Sequence, residues 1–183
     1  MTEISERYRA AATEFSRRVD GVSDERWADP SPCAGWTARD VVRHVVDTHR
    51  TTPGWAELPE LDLTVSVDDD PRAAWAEARD AMQALLADPE RAGKEYAGYF
   101  GPTTLERSVD QFIYFDLVVH AWDLARATGQ DETMPAEDVR RVYGTVSSFG
   151  DALRGEGICG PEVKVPDDAS EQERLIGLLG RTP

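Results

Sequence analysis

The stretch Asp116-Leu117-Val118-Val119-His120-Ala121-Trp122-Asp123 decides how this chain is read. It places one imidazole between two carboxylates, four residues after the first and three before the second. Those spacings stack side chains on one face of an α-helix. The helical pattern extends outward over residues 104–127. Thr103 and Glu106 have the spacing of a capping box, and Gly129 follows as the stop signal. Ile113, Phe115, Leu117, Val118, Val119, Trp122 and Leu124 make this helix apolar around most of its circumference, which predicts a central position in the fold. Charged groups inside such a helix are costly unless they are paired or liganded.

The rest of the chain divides into further helices. Ile4 to Val19 carries Tyr8, Ala11, Ala12, Phe15 and Val19 at helical spacing. A short turn is expected at Asp24 to Trp27, followed by a loop over Pro30-Ser-Pro-Cys-Ala-Gly-Trp36. Thr37 with Asp40 resembles a capping box and opens a helix to Thr51. Residues 56–70 are acidic and lack helical period. Leu61 to Val67 alternates like a strand but has no evident partner, so an extended loop is expected there. Asp70-Pro71 caps a helix to about Ala87, and residues 88–103 read as a glycine-punctuated connection. Pro135 starts a helix to about Leu153. Gly155 to Pro166 is a loop, and Ser170 with Glu173 caps a last short helix ending near Gly180. The pattern predicts an all-α fold, a four-helix bundle with additional C-terminal helices, in a single domain over 1–183.

Composition bounds the function. The 183 residues are 40% hydrophobic and 30% charged, ordinary for a soluble domain. A formal net charge of -15 disfavours nucleic acid and anionic membranes as partners. No apolar run approaches the roughly 20 residues that span a bilayer. The N-terminus lacks the basic-then-apolar pattern of a secretory signal, so the expected location is cytoplasmic, with Cys33 and Cys159 reduced. No phosphate-binding loop, serine nucleophile elbow, HExxH or Cys-x-x-Cys motif is present.

Three histidines occur in the chain. His44 borders the apolar face formed by Val41, Val42, Val45 and Val46. His49, five residues on and about 140° around the helix, cannot share a site with it easily. His49 lies near the helix end, where a cationic ring suits the dipole. A histidine and a carboxylate from one helix, with a histidine from another, suit a divalent metal. Spacing alone leaves a second reading open, in which His120 and its carboxylates satisfy one another and Arg126 pairs with Asp123 at i+3. Asp47, one turn beyond His44, reads as a solvent charge ahead of a hydrogen-bond partner for that histidine, Cys33 as a small buried loop residue ahead of a nucleophile, since no activating partner is near it in sequence, and Trp36 and Trp122 as core or pocket wall.

Pro30-Ser-Pro-Cys33-Ala-Gly-Trp36-Thr-Ala-Arg-Asp-Val-Val-Arg-His44 resembles the "PTPCxGWxVRDLVxH" opening of a group of actinobacterial metal-binding proteins. His120-Ala-Trp-Asp-Leu-Ala-Arg-Ala-Thr-Gly129 resembles their "HxWDLARATG" segment, and Val165 to Arg181 resembles their ending. These are DinB/YfiT-like four-helix bundles, related to the metal-binding domain of mycothiol-dependent maleylpyruvate isomerase. The resemblance implies a divalent metal, zinc or nickel, held by His44, Asp116 and His120. The carboxylate here is the shorter Asp116 where the isomerase carries glutamate, which leaves Asp123 as the alternative ligand. Only 54 residues follow Gly129, so the isomerase's second domain and its reaction are not expected.

The resemblance implies a metal-dependent transferase using a thiol of the mycothiol type as co-substrate and acting on a small molecule. Asp123 is then the candidate for orienting His120 or accepting a proton. The rivals are a non-catalytic module that binds a metal or small ligand, and a metal-dependent hydrolase. A homodimer is a further expectation from the resemblance.

Overall fold

The computed structural model describes residues 2–155 and 159–183. Four helices form the bundle: α1 (Glu3–Asp20), α2 (Ala38–Thr51), α3 (Pro71–Ala87) and, after two short helices, α6 (Tyr114–Thr128). The short ones are α4 (Pro89–Ala92) and α5 (Leu105–Ser108). α6 packs on α1 and α2, and α3 packs on the same two, which gives the cyclic order α1–α6–α2–α3. Phe15, Val42, Val45, Trp75, Met82, Leu117 and Leu124 fill the space between them. Trp75 meets Phe15 edge-on at 4.8 Å and donates its indole N–H to Ser16 Oγ at 2.9 Å, so its one polar group is satisfied. α7 (Ala136–Phe149) packs on α6 and on α8 (Glu171–Leu178), outside the four-helix core.

The capping signals at Thr37–Asp40 and Ser170–Glu173 form reciprocal boxes as their spacing predicts. The one at Thr103–Glu106 does not form. Thr103 is paired with Tyr96 in a strand, and Thr104 caps α5 instead through Arg107 N. Residues 88–103 are therefore more than a connection. They hold α4 and an antiparallel hairpin, β1 (Glu95–Gly98) with β2 (Gly101–Thr104), joined by the two residues Tyr99 and Phe100.

The expected helix over 104–127 contains a π turn at Val109–Ile113, closed by Tyr114 N–H to Val109 O. That turn widens the helix just before Asp116. The helix expected to reach Leu153 stays α-helical to Phe149 and tightens into a 3₁₀ turn over Gly150–Arg154. The Leu61–Val67 segment is extended and has no strand partner among the described residues. Leu61, Leu63 and Val67 pack on the core, and the Glu77 carboxylate accepts the N–H groups of Thr64 and Val65 that a neighbouring strand would have taken. The Gly155 to Pro166 loop lies in part outside the described residues.

Candidate metal centre

α2 and α6 face each other, and that packing brings three side chains together. Asp116 Oδ1 lies 3.2 Å from His44 Nε2 and 3.2 Å from His120 Nε2. One ligand atom from each residue lies within 4.8 Å of the others. His49 points the other way. It is fully buried beside Tyr8 and Trp75, its Nδ1–H donates to Val45 O at 2.7 Å, and burial holds its pKa down at about 4. The expectation of a cationic ring at the helix end is thus corrected: the ring sits among core aromatics, where desolvation outweighs the helix dipole. Asp47 is exposed.

Asp123 is completely buried and lies on the opposite side of the His120 ring from Asp116. It accepts the His120 Nδ1–H at 2.9 Å, and Arg181 Nε and Nη2 at 2.7 Å each. The Cys33 thiol donates to it at 3.4 Å. Burial alone would push this carboxyl up; the hydrogen bonds from His120 and Arg181 override it and hold the pKa at about 2. The expected partner, Arg126, lies over the Trp122 ring and pairs with Glu132 at 2.7 Å. Arg181, 58 residues away, takes its place because Gly180 adopts a left-handed conformation (φ +80°) after α8. That turn sends the chain back over the bundle, with Arg181 N–H closing on Ile176 O.

Cys33 reads from sequence as a small loop residue, and the structure places it beside His120 and Asp123. Its loop is pinned by Ser31 N–H to Trp36 O at 2.8 Å and turns at Gly35, whose φ of +78° favours glycine. The same turn lays Trp36 over both imidazoles, with ring centroids 5.0 Å from His44 and 6.1 Å from His120. Both cysteines are free thiols, and both line the cavity that opens over the triad.

The donor set suits a cation. The His120 Nδ1–H is committed to Asp123, so in the neutral ring Nε2 carries the lone pair and aims it at Asp116 Oδ1. A proton or a cation must separate those two acceptors. Asp116 Oδ2 is buried without a hydrogen-bond partner among the described residues, which leaves it available as well. A carboxylate behind the far nitrogen of a metal-binding imidazole is the usual arrangement for fixing its tautomer. Cys33, His120 and Asp123 form a second cluster of possible donors. There Asp123 is already neutralised by Arg181 and His120 offers a protonated nitrogen, so the first cluster is the better cation site.

Residues 8–125 match the mycothiol maleylpyruvate isomerase N-terminal domain family. The chain belongs to that family. Two uncharacterised proteins of Mycobacterium tuberculosis, from strains CDC 1551 / Oshkosh and ATCC 25618 / H37Rv, are each 28% identical to it over 180 residues, covering 96% of both chains. No solved structure matches. The family links this helical bundle to mycothiol-related metal-binding domains, and the fold agrees with the DinB-like bundle that the motifs imply. Arg181 lies beyond the matched segment. No helix among the described residues is long and apolar enough to cross a membrane.

Proposed function

We propose that the chain is a divalent-metal-dependent thiol S-transferase, with His44, Asp116 and His120 holding zinc or nickel and a mycothiol-type thiol as co-substrate. One observation carries the reading: the three donors converge on the wall of a cavity of about 1050 Å³, with His44 about one-third exposed. A buried structural site would close its shell with a fourth protein ligand, and Asp123, the residue nearest to that role, sits behind His120. A divalent cation held by His44, Asp116 and His120 would supply Lewis acidity, lowering the pKa of a thiol co-substrate toward neutrality.

The protein's own groups do the rest. Asp123, held by Arg181, keeps His120 in one tautomer and orientation. Trp36 covers the imidazoles and limits water. The thiol sulfur then forms a bond to an electrophilic carbon while the bond from that carbon to its leaving group breaks, and the thiol proton leaves to solvent. Asp116 is the one carboxylate among the described residues of the cavity wall. A hydrolase would need a further general base there, so thiol transfer is favoured over hydrolysis.

Elemental analysis of the untagged protein beside His44→Ala, Asp116→Ala and His120→Ala tests the site. Near-stoichiometric metal in the parent is expected to be lost in all three. Cobalt-loaded protein is then expected to show a thiolate charge-transfer band on adding thiol. Metal retained in His120→Ala, or no band, would overturn the reading.

A further inference from the structure

The cavity has two unlike limbs, arranged along α6. Phe112 lies one turn before Asp116, and Asp123, which faces Cys33 and Arg181, lies one turn beyond His120. These eleven steps span about 16 Å at 1.5 Å per residue, with the triad between them.

The limb beyond Phe112 is built from aromatic rings supplied by three separate elements. Phe100 comes from the hairpin tip, Phe112 from the π turn and Phe149 from the end of α7. Their planes lie within 12° to 23° of one another, and their centroids are 5.5 to 6.4 Å apart. Trp55 meets Phe112 edge-on at 5.9 Å. π turns cluster at functional sites, and this one re-aims the residues just before Asp116. The hairpin tip is unusual in its chemistry too. Two-residue hairpin loops favour Asn, Asp and Gly, whereas this one shows Tyr99 and Phe100 at 81% and 56% exposure. Phe100 packs on Phe112, Phe149 and Tyr99, yet both tip rings still keep most of their surface in solvent beside the cavity.

Charge completes the picture. Arg181 is the one Arg or Lys side chain among the described lining residues, and it already donates to Asp123, Cys33 Sγ and Leu179 O. A carboxylate or phosphate lying among the rings would meet no cationic side chain, and the protein's net charge of -15 repels it. Flat, apolar and uncharged surface is what this limb accommodates.

We propose that the ring cluster Trp55–Phe100–Phe112–Phe149 binds the second substrate, an uncharged planar aromatic compound whose electrophilic end reaches the triad. Its role as a substrate site rests on the thiol-transfer reading; the binding site itself does not. The rings themselves offer a small dianion no cationic partner.

Two probes of one skeleton test it: neutral N-phenyl-1-naphthylamine and its sulfonated relative 8-anilinonaphthalene-1-sulfonate, titrated by fluorescence into the full-length protein. The neutral probe is expected to bind at least tenfold more tightly than the sulfonate. Its Kd is expected to rise at least tenfold in Phe112→Ala and in Phe100→Ser, and to stay within twofold in His120→Ala. Phe100 is at an exposed tip, so that variant folds whatever happens to Phe112→Ala. Equal affinity for the two probes, or an unchanged Kd in Phe100→Ser and a folded Phe112→Ala, would overturn the proposal. Loss of neutral-probe binding in a folded His120→Ala would also overturn it, by placing the probe at the triad instead. Absence of metal from a parent protein that still binds the neutral probe at these rings would sink the thiol-transfer reading and leave the aromatic site standing.

Discussion

Replacing Arg181 with methionine removes the cation from a buried ion pair at the site while keeping an apolar stem of similar length. The Asp123 side chain is 0% exposed and that of Arg181 is 11% exposed. The two hydrogen bonds between them, both 2.7 Å, are charge-assisted. Such bonds contribute about 1.5–3 kcal/mol each, and removing one partner of a buried pair costs about 3–5 kcal/mol because the other charge is stranded. His120 Nδ1–H and the Cys33 thiol remain as donors to Asp123, which places the expected loss near the lower end, about 3 kcal/mol. An independent route agrees. A carboxyl held at about 2 instead of 3.8 corresponds to about 2.5 kcal/mol, though His120 shares that effect with Arg181. The sign follows from the depressed folded pKa. This stability is present above the ordinary carboxyl pKa and is lost as pH falls from about 4 through about 2. Urea unfolding at pH 7 should show the midpoint falling with an unchanged slope, and adding Asp123→Asn to Arg181→Met should recover part of the loss. Metal affinity should fall about 10- to 100-fold as His120 loses its fixed orientation. A loss below about 1 kcal/mol would refute the claim that Arg181 neutralises Asp123.

If the proposed triad holds the metal, Cys33→Ser should bind as much metal as the parent, because Cys33 belongs to the second cluster; loss of metal in this variant, measured by elemental analysis, would move the site to Cys33, His120 and Asp123. His49, with its folded pKa lowered to about 4, binds a proton more readily when unfolded, so between about pH 6.5 and 4 stability should fall with falling pH by about 3 kcal/mol. Urea midpoints across that range should flatten in His49→Gln, and an unchanged slope would show that other groups carry the dependence. Phe15→Ala, at a fully buried position against Trp75, should cost about 3–5 kcal/mol in the same assay without changing the metal content of the protein that remains folded.

How far the sequence reached depended on how local each contact is. Asp116, His120 and Asp123 share a helix face by spacing, so their neighbourhood was legible from one segment, as were the opposed directions of His44 and His49. The role of Asp123 was only half legible. Arg126 at i+3 was the partner that local geometry allowed, yet it turns away to Trp122 and Glu132, and a residue 58 positions later reaches in. Nothing in the spacing of α6 encodes that. The available signal was the glycine at 180, a helix stop that says where the chain turns back but not what it will touch. Cys33 was missed for the same reason. Its neighbours in sequence hold no histidine, and its neighbours in space come from α6 and the tail.

The hairpin at Glu95–Thr104 shows a different limit. Its strands are only four residues each, and its loop lacks the Asn-Gly or Asp-Gly signature by which a short hairpin is recognised. A turn that ignores the usual chemistry is evidence about function, since local preference gives way mostly where a site requires it. The π turn belongs to the same class of exception. Its extra residue per turn interrupts a helix that its capping residues and apolar periodicity would otherwise have continued unbroken from 105 to 128. Both departures end in an aromatic ring, Phe100 and Phe112, and both rings face the same limb of the cavity. Two breaks with local rule thus converge on one surface, as the proposed aromatic site requires, since local preference gives way most often where a site demands it.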